Sequence, residues 1–313
     1  MYRYDEIKSV HIEPTQGCNA ACPQCDRNIN GGEDNPYLRN AMLTSANYYE
    51  MFPSHFIEQL NSMYMCGNLG DPCVSNYTVE GFRYFRRVNP DMWLGMNTNG
   101  GARLEFFWED LADLEVSITF SIDGLKDTNH LYRQYVKWER VMENAKAFID
   151  RGGHARWDFI VFKHNEHQVE EARDLAMDMG FKKFQVKKTG RFFSTVKHEG
   201  KETHQAVNKK GKETQKLEKP EDKYVNKALK SENEIIDKHG SMDVYYDKTS
   251  IDCKAIKKSE IFVTAEGHVF PCCWTAGQQY KWYWRPREAP IWNLIGTPDN
   301  ISLRHHSLRD IIE

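Results

Sequence analysis

The stretch IKSVHIEPTQGCNAACPQCD, residues 7–26, joins a short apolar run to a loop that carries three cysteines. The run IKSVHI (7–12) alternates apolar and polar residues near its end and predicts a strand. The loop that follows places Cys18, Cys22 and Cys25 at C-x3-C-x2-C spacing among Gly, Asn, Ala and Pro. A strand followed at once by a polar loop is the pattern that recurs over the first 188 residues.

Strand-like runs alternate with helical patterns over residues 7–188. Apolar residues recur every three to four positions over 136–149 and 169–179, which predicts helices. The further strand-like runs are 62–67, 92–96, 115–120, 156–162 and 184–186. Six β/α repeats predict an α/β fold with a parallel sheet, either an open doubly wound sheet or a partial barrel.

Polar or glycine-containing motifs follow each of the first five strand-like runs. They are EPTQGC, GNLGDPC, NTNGG, SIDG and KHN. Parallel α/β folds build their sites at the carboxyl ends of the strands. One such motif would be an ordinary turn, but five in succession predict a ligand lying across this end of the sheet.

Composition narrows the functional class. The 313 residues allow one large domain or two modest ones, and 40% of them are hydrophobic. The mean hydropathy is −0.71, and no apolar run of about 18 residues exists. The first residues, MYRYDEIKSV, lack the pattern of a signal peptide. We therefore expect a cytoplasmic protein without a membrane partner, and the net charge of −3 argues against nucleic acid as a partner.

The eight cysteines are clustered along the chain, at 18/22/25, 66/73 and 253/272/273. In a reducing compartment this clustering favours metal binding or catalysis over disulfides. Three closely spaced thiolates can each bind one iron of a cubane cluster and leave the fourth iron open to an exogenous ligand. Two alternatives stay open for the loop: a zinc site with His11 or Asp26 as fourth ligand, and a redox CxxC pair, which leaves Cys18 unexplained.

On these residues the sequence resembles the radical S-adenosylmethionine (SAM) enzymes. CNAACPQC stands where that family carries C-x3-C-x2-C, in the loop after the first strand of a partial (β/α)6 TIM-like barrel. The resemblance implies this fold and a [4Fe-4S] cluster held by Cys18, Cys22 and Cys25, whose open iron chelates SAM. It also implies an electron donor such as flavodoxin or ferredoxin, and one-electron cleavage of SAM to a 5′-deoxyadenosyl radical that abstracts a substrate hydrogen.

The other strand ends extend the resemblance to SAM contacts. GNLGDP (67–72) is similar to the family's GGEP segment, which receives the SAM ammonium, and NTNG and SIDG resemble the ends of the third and fourth strands. The residue before the third cysteine is often aromatic in the family, whereas here it is Gln24. The SAM contacts that the resemblance implies are Gly70, Asp71, Asn97, Asn99, Ser121, Asp123 and Arg133.

The terminal cysteines resemble the first half of a SPASM/twitch auxiliary-cluster domain. IFVTAEGHVF (261–270) predicts a hairpin, and SLRDII (307–312) resembles the final helix of that domain. The resemblance implies one auxiliary [4Fe-4S] cluster with Cys253, Cys272 and Cys273 as candidate ligands. The later cysteines of a full domain are absent from this sequence. The alternative is a degenerate domain whose cysteines are buried or zinc-bound.

The fourth ligand of this second cluster stays open. Substrate, Cys66, Cys73, or an oxygen or nitrogen side chain are the candidates. Cys66 and Cys73 flank the GNLGDP segment, and by default we interpret them as small buried hydrophobic residues. The more specific alternative is that Cys66 or Cys73 acts near the site as a radical donor or as a ligand.

The chain divides into three predicted parts: 1–188 as the barrel, 189–250 as a charged linker or insertion, and 251–313 as the auxiliary unit. Over 187–223, ten lysines, one arginine and six acids occur with almost no apolar periodicity. This composition favours a solvated linker or mobile insertion, with a basic arm for RNA or a leader peptide as the alternative. The aromatic residues expected to pack the terminal unit are Tyr280, Trp282, Trp284 and Trp292.

The leading functional hypothesis is a radical SAM enzyme of the SPASM/twitch type. Its substrate is unknown, and peptide or protein modification is favoured over substrate oxidation because it is common for this pairing of domains. The alternative is a non-enzymatic zinc or iron–sulfur module that binds a partner. That alternative explains the cysteines but not the SAM-like strand ends.

Overall fold

The computed structural model describes residues 3–194, 199–250, 252–281 and 290–313, and its centre is one large sheet. Six parallel strands are adjacent in chain order, as the β/α repeats predict. They are β1 (Ser9–Ile12), β2 (Ser62–Met65), β3 (Trp93–Thr98), β4 (Val116–Ser121), β5 (Ala155–Ile160) and β6 (Lys183–Lys187). The helices between them are α1 (Ser45–Met51), α2 (Ser54–Glu58), α3 (Thr78–Val88), α4 (Glu105–Asp113), α5 (Asn129–Tyr132), α6 (Trp138–Asp150) and α7 (Val169–Asp178). The predicted α/β partial barrel is confirmed.

Strand β4 shows why the sheet buries one face and leaves the other for a site. Val116, Ile118 and Phe120 are buried, and the residues between them are serines and threonine that are only half-buried. Side chains alternate between the two faces of a strand, so the apolar set faces the helices. The Phe120 ring lies 5.4 Å from Trp108 of α4 and 6.0 Å from Phe148 of α6. The opposite face of β4 is therefore polar.

Residues 189–250 contain ordered elements. They are β7 (Phe193–Ser194), β8 (Glu199–Gly200), β9 (Thr203–Val207), β10 (Glu213–Glu218), α8 (Ala228–His239) and α9 (Met242–Lys248). Strands β9 and β10 form an antiparallel hairpin with Ala206 and Leu217 fully buried. His204 Nε2 lies 3.0 Å from the Pro23 carbonyl oxygen, so the hairpin rests on the cysteine loop. The segment predicted as a charged linker or insertion therefore contains an ordered hairpin. Two buried side chains are too few to give the sequence an apolar period.

The predicted terminal hairpin is present and joins the main sheet. Its strands are β11 (Glu260–Val263) and β12 (Val269–Phe270), flanked by α10 (Lys254–Lys257), α11 (Cys273–Gly277), α12 (Ile291–Ile295) and α13 (Leu308–Ile312). Strand β11 pairs in parallel with β1, from Ser9 beside Glu260 to Ile12 beside Val263. The hairpin therefore extends the barrel sheet to eight strands.

Aromatic packing in the terminal part is seen at two of the four predicted residues. Tyr280 is buried, and the Trp292 ring lies 6.4 Å from Phe270 of β12. Trp282 and Trp284 lie outside the described residues. None of the helices in the described part of the chain combines the length and apolar character that a membrane span requires.

Candidate functional site

The three-cysteine loop lies at the carboxyl end of β1. Its cysteines are free thiols; Cys22 is buried, and Cys18 and Cys25 are half-buried. The loop is tightly folded, because Cys25 N donates to the Cys22 carbonyl at 3.0 Å and Ala20 N lies 3.4 Å from Cys18 Sγ. Asn28 Nδ2 also donates to the Cys22 carbonyl at 3.3 Å. These bonds fix the backbone that carries the three thiols.

Burial raises the pKa of the Cys18 and Cys22 thiols. In the absence of a ligand, burial favours the neutral thiol. Arg133 opposes this effect at Cys22, since its Nη1 lies 3.6 Å from Cys22 Sγ. A bound metal ion deprotonates a coordinating thiol. Three free thiols in one loop with an adjacent guanidinium therefore form a donor set that suits an iron–sulfur cluster.

Arg133 is held in place by Asp123. Arg133 Nε lies 2.6 Å from Asp123 Oδ2, and the Asp123 carboxylate has no exposed surface. Its other oxygen accepts from Ile160 N at 2.6 Å. Burial would lower the pKa of Arg133, but the Asp123 carboxylate raises it overall, so the guanidinium stays charged. Asp123 thus orients the charge that contacts Cys22.

The GNLGDP segment crosses the β1 loop at very close range. A Cβ built on Gly70 would lie 1.8 Å from the Thr15 carbonyl oxygen, so only glycine fits this crossing. The buried Asp71 carboxylate accepts from Thr98 Oγ1 at 2.7 Å, Asn99 N at 2.7 Å and Cys73 N at 3.0 Å. Asp71 therefore ties the loop after β2 to the end of β3.

The remaining predicted SAM contacts lie at neighbouring strand ends. Asn99 Nδ2 donates to Asn19 Oδ1 at 2.9 Å and lies 3.8 Å from Cys18 Sγ. Asn97 of β3 and Ser121 of β4 are half-buried. The structure thus brings Asn99 to Cys18 and the Asp123–Arg133 pair to Cys22. Asn97 and Ser121 lie at the ends of their strands.

Sequence analysis missed Glu13, which lies at the end of β1. It is buried, and its Oε1 accepts from Leu69 N at 2.7 Å and Gly70 N at 3.2 Å. Burial raises the pKa of Glu13 to about 7. The sequence feature that could have indicated this residue is its position as the first residue of EPTQGC, directly after an apolar strand. Glu13 therefore ties the GNLGDP backbone to the end of β1, and Asp71 ties it to the end of β3.

Of the terminal cysteines, Cys273 lies next to the loop after β2. The Cys273 carbonyl accepts from Asn68 Nδ2 at 2.7 Å. Burial raises the pKa of Cys273 to about 11 and that of Cys66 to about 12. Electrostatic repulsion from neighbouring groups contributes to both of these raised pKa values, and Cys273 is one of the groups that act on Cys66. Cys253 directly precedes α10, and Cys73 is fully buried, as a small apolar side chain would be.

No three His, Cys, Asp or Glu side chains converge on a single metal-ion position within residues 3–194, 199–250, 252–281 and 290–313. A cubane spreads its ligands over separate iron atoms, so a set suited to one ion is not what it requires. For the cysteine loop, the three thiols and their charged neighbours lie together. For Cys253, Cys272 and Cys273, the geometry gives no complete ligand set.

Comparisons with known proteins agree with the barrel and its cysteine loop. The family model described as the Radical SAM superfamily matches residues 12–176, more than half of the chain. No curated protein matches the sequence.

Solved structures of similar fold extend over most of the chain. Streptococcus suis SuiB bound to S-adenosylmethionine is 16% identical with a TM-score of 0.54, covering 85% of this chain and 60% of SuiB. SuiB bound to precursor peptide SuiA is 16% identical with a TM-score of 0.55, covering 87% and 60%. Native anSMEcpe with bound AdoMet and the Cp18Cys peptide is 15% identical with a TM-score of 0.56, covering 97% and 80%. At these identities the similarity shows the fold alone, and the chain spans only 60% of the length of SuiB.

Proposed function

Because the chain belongs to the radical SAM superfamily, we propose that it is an enzyme that cleaves SAM reductively and abstracts a hydrogen from a peptide or protein substrate. The observation that carries the proposal is the loop of three free cysteines at the carboxyl end of β1, with Arg133 Nη1 3.6 Å from Cys22 Sγ. A [4Fe-4S] cluster held there, together with SAM, would supply a 5′-deoxyadenosyl radical. The chain's own residues bind and orient both groups.

Arg133 has two proposed roles at the site. Arg133 would balance the negative charge of the thiolates through Cys22, and its remaining N–H groups would donate to the SAM carboxylate. An arginine that donates to a carboxylate forms one of the stronger hydrogen bonds in proteins. Asp123 is a positioning residue, because it accepts from Arg133 Nε at 2.6 Å and thereby fixes the direction of the guanidinium.

The loops after β2 and β3 form the proposed seat for the SAM amino group. Gly70 has no side chain, so its backbone can approach a ligand as closely as it approaches Thr15. Asp71 already accepts three hydrogen bonds from the protein, so its proposed main effect is to hold this seat rigid and negative. Asn97, Asn99 and Ser121 complete the polar rim at the strand ends.

A second, auxiliary cluster of the SPASM/twitch kind is part of the proposal. Its candidate ligands are Cys253, Cys272 and Cys273. Cys66 is the favoured further ligand, since the Asn68 to Cys273 bond brings the loop after β2 against α11. Such a cluster would lie next to α11, where α11 meets the loop after β2 that we propose binds the SAM amino group.

The substrate class and the reductant are proposals as well. SuiB has been solved with its precursor peptide and anSMEcpe with a peptide, which supports a peptide or protein substrate for this fold. A flavodoxin or ferredoxin in the cytoplasm is the proposed reductant, because a reducing compartment keeps the thiols free.

The test is anaerobic reconstitution with iron and sulfide, followed by dithionite and SAM, with 5′-deoxyadenosine as the readout. We expect product from the wild type and none from Cys22→Ala. Cys253→Ala, a half-exposed cysteine outside the loop, serves as the matched control and should retain SAM cleavage. Stoichiometric zinc without sulfide and no 5′-deoxyadenosine from the wild type would contradict the proposal.

A further inference from the structure

The tip of the β9–β10 hairpin is basic, and His204 of the same hairpin contacts the cysteine loop at Pro23. Between Val207 and Lys216 the sequence VNKKGKETQK carries four lysines and one glutamate. Lys209, Lys210 and Lys212 are exposed. The whole chain carries a net charge of −3, so this tip is a local positive site on a negative protein. Charge of one sign at a docking site steers partners of the opposite sign and raises their association rate.

The tip is connected to the cysteine loop by a short series of contacts. Val207 N donates to the Asn30 carbonyl at 2.9 Å, and a Cβ on Gly32 would lie 2.8 Å from Val207 Cγ2. Gly31 N donates to Asn28 Oδ1, and Asn28 Nδ2 donates to the Cys22 carbonyl at 3.3 Å. The turn over residues 28–32 therefore connects β9 to the backbone of Cys22.

A second contact holds the tip against Tyr135. Lys209 N donates to Tyr135 OH at 3.2 Å, and Lys209 Nζ lies 5.1 Å from the centre of the Tyr135 ring. Tyr135 follows Gln134, whose carbonyl accepts from Ala21 N at 3.2 Å within the cysteine loop. Lys210 and Lys212 stand beside this anchored residue, with their backbone N–H groups bonded to Asn208 Oδ1. The tip is thus held in place while two of its lysines remain available to a partner.

We propose that the hairpin tip, through Lys210 and Lys212, is the docking surface for an acidic one-electron carrier protein that reduces the cluster at Cys18, Cys22 and Cys25. The inference rests on the proposed function and adds the place where the electron enters. In this step the carrier loses one electron and the cluster gains it, and no bond forms or breaks. A carrier is favoured over nucleic acid or a leader peptide because the hairpin that bears these lysines is bonded through Val207 to the 28–32 turn, which is bonded in turn to the Cys22 backbone, and an electron carrier must dock near the group that it reduces.

The experiment compares two reductants in one SAM-cleavage assay. One is reduced methyl viologen, a small cation that needs no docking surface, and the other is a reduced acidic flavodoxin. The test variant is Lys210→Glu/Lys212→Glu. The matched control is Lys238→Glu/Lys248→Glu, which makes the same charge change at exposed lysines of α8 and α9.

We expect the test variant to lose about tenfold in the flavodoxin-supported rate at low ionic strength, with the loss shrinking as salt screens the charges. Its viologen-supported rate should equal that of the wild type, and the control variant should be unchanged with both reductants. Equal flavodoxin rates in wild type and test variant would overturn the docking surface and leave the lysines to another anionic partner. A proportional loss with both reductants would also overturn it, since the hairpin would then act on the site itself. Absence of SAM cleavage by the wild type with viologen would instead refute the proposed function, and the docking surface with it.

Discussion

The two cysteine groups of this protein differ in how their residues are brought together. Cys18, Cys22 and Cys25 share one eight-residue loop. Asn99 reaches this loop from the end of β3, and Arg133 reaches it from the end of α5. Cys253 and Cys272 are separated by the whole β11–β12 hairpin, and Cys273 contacts the loop after β2. Local spacing defines a ligand set in the first group, whereas the second depends on long-range packing.

The largest expected effect separates the two groups by mutation. Replacing Cys18, Cys22 and Cys25 together with alanine should abolish SAM cleavage, because no thiolates remain in the loop proposed to hold the SAM-binding cluster. Replacing Cys253 and Cys272 with alanine should leave uncoupled SAM cleavage in place and impair only turnover of the true substrate. The readout is 5′-deoxyadenosine per chain under dithionite. Equal loss in both variants, with both shown to be folded by circular dichroism, would mean that the two groups form one functional unit.

A smaller effect is expected at the cation of the first group. Arg133→Gln should weaken SAM binding by about 10- to 150-fold, since a hydrogen bond to a charged group contributes about 1.5–3 kcal/mol. Isothermal titration of SAM into the reconstituted protein measures the change. Arg140→Gln is the matched control, because Arg140 is a helical arginine paired with Glu143 at the surface. Unchanged affinity in Arg133→Gln would remove Arg133 from the SAM site.

Gly70 tests whether the loop crossing is a requirement of the fold. Gly70→Ala puts a Cβ 1.8 Å from the Thr15 carbonyl oxygen, so the backbone must shift. We expect a fall in Tm of about 3 °C, from a destabilisation of about 2 kcal/mol at this chain length. Gly190→Ala is the control, since its nearest neighbour atom lies 3.5 Å from the added Cβ. Equal Tm values for the two variants would show that the crossing can relax.

A pH-dependent effect is expected at Glu13, which links the two regions through the loop after β2. Burial raises its pKa from 4.5 to about 7, so the folded protein holds a proton that the unfolded chain releases. The stabilising effect of this proton is full below about pH 4.5 and is lost as the pH rises through 7. Glu13→Gln should therefore be more stable than the wild type at pH 8 by up to about 3 kcal/mol, and the difference should fall below about 1 kcal/mol at pH 5 and vanish below about pH 4.

Urea unfolding of the apo protein under reducing conditions measures this difference. Glu109→Gln, an exposed carboxylate of α4, is the control and should show no such pH dependence. A constant difference between Glu13→Gln and wild type from pH 5 to pH 8 would contradict the raised pKa.

The sequence could predict the parts of the fold that depend on local pattern. The alternation of Val116, Ile118 and Phe120 with polar residues shows β4 directly, and the motifs after the strands show which end of the sheet carries the site. The pairing of β11 with β1 could not be predicted, because it joins Ser9 to Glu260 and no local signal names the partner strand. The hairpin of β9 and β10 was hidden for a similar reason, since its contacts lie in the cysteine loop.

The candidate site follows the same division. Its thiols could be predicted from spacing, and the neighbouring strand ends from the family resemblance. The bonds that brace the site could not, because the three donors to Asp71 and the two backbone donors to Glu13 come from different loops. Those bonds are determined by the packing of the loops against each other.

The most direct test of the central claim is the electron paramagnetic resonance spectrum of the Cys253→Ala/Cys272→Ala variant, reduced with dithionite and recorded with and without SAM. This variant removes two of the candidate ligands of the proposed auxiliary cluster and keeps the three-cysteine loop intact. The account predicts about four irons per chain and a reduced-cluster signal that shifts when SAM is added. A folded variant without a cubane signal, or with a signal that SAM leaves unchanged, would contradict the claim that Cys18, Cys22 and Cys25 hold a cluster that binds SAM.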